Sequence, residues 1–167
     1  REELLKQPEK EAKALALEII PERIEAYDIS NYGNDNITAG MIVSENATLK
    51  KSAYRIFNIK STDIQDDYAS MQEVLSRRLD SYEAKSGGFE RLPDLILLDG
   101  GSTHTRIIRR LFDERGYNVP IFGMVKDDRH RTRELVSADG AERGISGNPA
   151  VFALIGTIQE ETHRFAI

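Results

Sequence analysis

Residues 93–101 read PDLILLDGG, and this stretch decides the fold class. Leu95 to Leu98 form an apolar run too short for a helix and without the alternation of a half-exposed strand, so it reads as a strand covered on both faces. It stops at Asp99-Gly100-Gly101. Beyond it, Ile107, Ile108, Leu111 and Phe112 mark a helix with Gly116 at a C′ position. VPIFGMV (119–125) then repeats the buried-strand pattern. Two apolar strands joined through a helix predict a parallel pair with helices packed on the sheet.

Upstream, the pattern changes to short alternating segments. RIEAYDIS (23–30) alternates Ile24 and Ala26 with polar neighbours and reaches an Asp before the turn signal at 31–36. ITAGMIV (37–43) and LKKSAYRIFNI (49–59) follow as two more strands, which predicts a three-strand antiparallel meander. From Asp66 the period becomes helical: Tyr68, Met71, Leu75, Leu79 and Tyr82 share one face, with Gln72, Glu73, Arg77, Arg78 and Asp80 outside, until Lys85-Ser86-Gly87-Gly88 ends the helix. Downstream, 127–133 and 137–149 read as loop or hairpin, with RELVS (133–137) a short strand. After Pro149 a last helix carries Val151, Leu154, Ile155, Ile158, Thr162 and Phe165. The expected fold is α/β: a mixed sheet of a meander plus parallel strands, with helices against it. Residues 1–21 read as a lead-in helix or linker cut from a longer protein, stopped by Pro21.

The chain has 167 residues, 40% hydrophobic and 31% charged, which fits one domain burying roughly 70% of its unfolded surface. The absence of Cys excludes disulfide scaffolds, thiolate metal sites and cysteine nucleophiles. No run approaches the roughly 18 apolar residues of a membrane span, and REELLKQPEK is too polar for a signal peptide, so a soluble cytoplasmic protein is expected. With 23 basic and 28 acidic residues and a net charge of −5, nucleic acid would have to be met by a local basic patch. Neither GxxxxGK[ST] nor GxGxxG occurs, which removes the usual nucleotide-binding loops.

Asp28 and Asp99 stand at the predicted C-terminal ends of strands, the edge where open α/β sheets bind ligands. Two carboxylates converging there call for a positive charge between them, and a divalent cation supplies one. Each also suits an ordinary turn or helix cap, Asp99 before Gly-Gly especially. His163 lies about 120° from the centre of the last helix's apolar stripe, on the flank of Gly156 and Gln159, so it borders the core without entering it. An interior glycine costs about 0.8 to 1 kcal/mol relative to Ala, and a close backbone or substrate approach at Gly156 would account for it. A surface histidine near a helix end is the plain alternative. Asp66 and Asp67 open the first long helix, and capping explains one of them. His104 and His130 read as structural or phosphate-facing. KDDRHRTRE (126–134) supplies Lys126, Arg129, Arg131 and Arg133, with Arg106, Arg109 and Arg110 on the second helix. Lys126 directly follows a buried strand and should emerge beside Asp99, suitably placed for a phosphate oxygen.

Six blocks in order, IEAYDISN (24–31), YRIFNI (54–59), DDYASMQEVLSRR (66–78), PDLILLDGG (93–101), FGMVKDD (122–128) and EETHRFAI (160–167), resemble the C-terminal endonuclease domain of UvrC, the incision subunit of bacterial nucleotide excision repair. The resemblance covers residues 22–167 and implies an RNase H-like fold and a cut, dependent on Mg²⁺ or Mn²⁺, in damaged double-stranded DNA on the 5′ side of the lesion. It places Asp28, Asp99 and His163 on the family's Asp-Asp-His active site, all three as metal-ligand candidates, and Asp67 on a further acidic residue important for that incision. Lys126, Arg129, Arg131 and Arg133 are the expected DNA contacts. It also implies partnership with UvrB, through parts of the full protein mostly outside this chain, as are the GIY-YIG nuclease of the other incision and the helix-hairpin-helix region. One departure stands out: where the family commonly continues DGGKGQ, this chain has Ser102-Thr103-His104. Another RNase H-like nuclease, or a non-catalytic nucleic-acid-binding module, are the competing readings.

Overall fold

A computed structural model of the protein describes residues 21–32, 36–60, 66–129, 132–144 and 149–166. The expected lead-in helix at 1–20, His130 and Arg131 lie outside the described residues. Among the described residues, eight strands form one mixed sheet. At its centre β1 (Arg23–Tyr32) pairs antiparallel along its whole length with β2 (Asn36–Glu45) and parallel with β5 (Leu95–Leu98). On the far side of β2 lie the short β3 (Thr48–Leu49) and β4 (Arg55–Asn58). Beyond β5 come β6 (Ile121–Lys126), parallel, then β7 (Thr132–Val136) and β8 (Glu142–Gly144), each antiparallel to its neighbour.

Helices cover both faces. α1 (Asp67–Glu83) and α2 (Ser102–Glu114) pack together on one face, and α3 (Pro149–Ala166) lies on the other against β1, β2 and β7. That layering explains why Leu95 to Leu98 are all fully buried, as their unbroken apolar run requires. The meander, the parallel β5–β6 pair and all three helices stand where the residue patterns put them. Asp66 caps α1, its carboxylate accepting from the Ala69 N–H at 3.0 Å, and Gly116 at φ +84° follows α2.

Four expectations need correction. The stretch 49–59 is not one strand: a 3₁₀ turn at Lys51–Ala53 interrupts it and turns Tyr54 into the core. Arg78, read as outward-facing, and Glu25, a polar neighbour in the alternation of β1, are both completely buried. Burial on both faces of β1 leaves Glu25 no route to water, and Arg78 reaches down from α1 to meet it with Nε and Nη2 each at 2.9 Å. Tyr68, read as core, is 45% exposed: it sits in the first turn of α1 with its ring against His104. At Gly156 no backbone comes close: a Cβ there would meet nothing within 4 Å, so that flank of α3 is open.

Candidate active site

Strand register brings the two acids together. Ile24 pairs with Leu95 and Ala26 with Leu97, all buried, and the Asp99 N–H extends the ladder by donating to the Tyr27 carbonyl at 2.9 Å. Carried two residues further, the alternation of a strand puts Asp28 and Asp99 side by side on the face that α3 covers. Asp28 is not at the end of its strand, as its sequence context suggested. β1 continues to Tyr32 along β2, and it is β5 that stops, opening the sheet beside Asp28. Glycine shapes this edge: a Cβ on Gly123 of β6 would overlap the Gly100 carbonyl and crowd Thr105, so glycine lets β6 approach the turn after Asp99.

Asp28 is 7% exposed. Burial, then the charge of Asp99 and a hydrogen bond between the two carboxyl groups, pushes its pKa up to about 8, against the opposing pull of Lys126. Asp28 therefore holds its proton more tightly than an ordinary carboxyl, with Asp99 as its neighbour. Lys126, at the end of β6, places Nζ 2.7 Å from Asp99 Oδ1. His163, on the last turn of α3, brings Nδ1 to 3.5 Å from Asp28 Oδ2, a close approach longer than an ordinary hydrogen bond, while most of its ring stays open to solvent.

Asp28, Asp99, His163 and Lys126 thus come together. Asp67 does not join them: it opens α1, exposed, and makes no hydrogen bond or ion pair with Asp28 or Asp99 among the described residues. His104, in the first turn of α2, feels the charge of both Asp67 and Asp99, its ring tilted against Tyr68 at a centroid distance of 4.5 Å. Burial pushes the His104 pKa down, while the charges of Asp67 and Asp99 act the other way. Arg129 lies exposed past β6, its N–H held by Asp127 at 2.9 Å. The Arg133 side chain is outside the described residues, as is Arg131. Arg109 is committed to structure, bonded to Asp113 and to the Val119 and Tyr117 carbonyls.

Two features of the site escaped sequence reading. One is the placement of His104 near both Asp67 and Asp99. The other is Glu161, which falls three residues after Ile158 and seven after Leu154, positions where the buried stripe of α3 calls for an apolar side chain. That misplaced acid was the available signal.

Among the described residues no three His, Asp or Glu side chains gather tightly enough to hold an ion unaided. The donor set still suits a hard dication: two neighbouring carboxyls of which one is buried, and a lysine ammonium already drawn to the same spot as positive charge. Asp28 and Asp99 would hold such an ion, with His163 beside it and water or substrate oxygens completing its shell.

A mixed α/β/α sheet with a carboxylate pair at its opened edge is the RNase H-like arrangement. The model of the UvrC RNase H endonuclease domain matches residues 12–167, and the chain belongs to that family. It is 44% identical over 174 aligned positions to the UvrABC system protein C of Acetivibrio thermocellus, covering 95% of this chain and 28% of that protein. With the UvrABC system protein C of Ruminiclostridium cellulolyticum it shares 47% over 161 positions, covering 93% and 26%. The chain therefore spans little more than a quarter of the curated relatives it matches. Among solved structures it is similar to Ciona intestinalis endonuclease V in complex with DNA, with a TM-score of 0.48 and 15% identity over 75% of this chain and 58% of the other. No helix among the described residues is long and apolar enough to cross a membrane.

Proposed function

We propose that this domain makes the 5′-side incision in damaged double-stranded DNA, as the divalent-metal-dependent nuclease of a UvrABC system in which UvrB and the rest of the protein deliver the substrate. The observation that carries this reading is the Asp28–Asp99 pair at the opened sheet edge, with His163 Nδ1 3.5 Å from Asp28 and Lys126 Nζ 2.7 Å from Asp99. Mg²⁺ or Mn²⁺ held there would polarise the scissile phosphate and acidify a water molecule.

The chain's own groups do the rest. His163 is open to solvent on one side and faces Asp28 on the other, the position of a base that takes a proton from an incoming water or orients it. Lys126 offsets the charge of Asp99 in the free protein and would turn to a phosphate oxygen when DNA arrives, which positions the backbone without reading bases. Arg129, Arg131 and Arg133 would extend that phosphate track, and Asp67 would act from the rim through His104. A net charge of −5 agrees with weak DNA binding by the domain alone, so lesion choice would come from its partners. In a reconstituted incision assay, His163→Ala should abolish the 5′ cut while folding and the other incision persist. Retained 5′ cutting would remove His163 from the chemistry.

A further inference from the structure

The last turn of α3 carries two side chains on opposite edges of its buried stripe. With Val151, Ile155, Ile158 and Thr162 at its centre and about 100° per residue, Glu161 lies roughly 80° to one side and His163 about 120° to the other. The His163 edge meets Asp28. The Glu161 edge is tied down: the Tyr54 hydroxyl donates to Glu161 Oε2 at 2.9 Å, and Arg164 Nε donates to Oε1 at 2.6 Å. The Tyr54 ring also meets Phe165 edge-on, with centroids 5.0 Å apart. Tyr54 and Glu161 are 8% and 9% exposed, and Tyr54 is fixed in turn between the 3₁₀ turn and β4, its N–H donating to the Lys51 carbonyl at 3.2 Å.

A helix end has no following turn to hold it, and apolar contact resists separation far better than roll because it is non-directional. Roll is the motion that matters here. Turning the helix by about 20° carries a side-chain tip 5–6 Å from the axis through about 2 Å, which is enough to part His163 from Asp28. A hydrogen bond on the opposite edge opposes that turn.

We infer that Tyr54 and Glu161 form a latch that sets the roll of α3 and so seats His163 against Asp28, making both of them positioning residues for strand cleavage. The inference rests on the role proposed above for His163. It is tested in the full-length protein with its repair partners. Tyr54→Phe keeps the ring and its contact with Phe165 but loses the O–H. We expect kcat for the 5′ cut to fall about tenfold, the loss of one hydrogen bond to a charged group, with KM for damaged DNA and the other incision unchanged. Glu161→Gln should act in the same direction, more weakly. In protein labelled at histidine, the imidazole NMR signal of His163, identified by its absence in His163→Ala, should move in Tyr54→Phe toward that of a free histidine.

A Tyr54→Phe protein that cuts within twofold of wild type while His163→Ala is inactive overturns the latch and leaves the cleavage reading standing. Equal losses in both incisions overturn it too, since they signal general destabilisation. Should His163→Ala still cut, the cleavage reading fails. The imidazole signal then decides the latch alone, and an unmoved signal sinks it.

Discussion

The two faces of β1 bury acid in opposite ways. Toward α1, Glu25 is fully buried and fully answered: Arg78 meets it through two nitrogens, Arg23 Nε lies at 3.0 Å, and the Tyr27 hydroxyl donates to it at 2.6 Å. Toward α3, three residues along, Asp28 is nearly as buried but faces another carboxyl, with one lysine beyond it and an imidazole at the rim. The first cluster is closed. It ties strand, helix and the loop carbonyls of Phe89 and Arg91 into a scaffold. The second is left short of positive charge, and that deficit is what a cation or an incoming proton can fill. Burial alone does not mark a site; burial with too little resident counter-charge does.

Neutralising one member of each cluster should break this contrast most sharply. Asp28→Asn relieves a repulsion, so the domain should lose no more than about 0.5 kcal/mol of stability, while 5′ incision falls by roughly 10²–10³ or more, the scale of losing a charge-stabilising group. Arg78→Ala does the reverse: it strands Glu25 and should cost about 3–5 kcal/mol in denaturant unfolding. A second Arg78 variant, Arg78→Met combined with Glu25→Leu, should recover most of that loss. If Asp28→Asn were the destabilising change and Arg78→Ala the harmless one, the contrast would be reversed.

Acidity sharpens the same comparison. The Asp28 pKa is raised in the folded protein to about 8, well above the unfolded carboxylate value. Folding therefore takes up a proton, and the stability this provides is fully present below about pH 4 and lost as pH rises through about 8. Without divalent ions, unfolding free energy measured between about pH 5 and 8 should fall with rising pH by up to about 1.4 kcal/mol per unit from this group, and Asp28→Asn should remove that slope. An unchanged slope in the variant would assign it elsewhere. The smallest effect is expected at Lys126, whose ammonium is partly exposed: Lys126→Met should change stability by less than about 1 kcal/mol while weakening DNA-dependent cutting, a difference read by running both assays on one preparation.

Much of this was legible in the residue order. LILL can only be a strand covered on both faces, and the helical spacing after Asp66 and Pro149 needs no tertiary information. Asp99, ending the buried run, and His163, bordering the stripe, were readable for the same reason. What stayed hidden depends on contacts distant in sequence. Glu25 meets Arg78, 53 positions away, and Glu161 meets Tyr54, 107 positions away. Alternation within RIEAYD could not reveal that β1 has helices on both faces, so the pairing of Glu25 with Arg78 did not show and Arg78 looked like a surface residue. Asp67 illustrates the remaining gap: it stands exposed at the start of α1, apart from the acid pair, and only the His104 ring feels its charge together with that of Asp99.

The central claim, that Asp28 and Asp99 form one site short of positive charge, is tested most directly by titrating Mn²⁺ into the full-length protein and into its Asp28→Asn and Asp99→Asn variants, following bound ion by calorimetry or EPR. One binding event should weaken at least tenfold, or vanish, in each variant while both remain folded. Binding of the same affinity and number in all three would contradict the account.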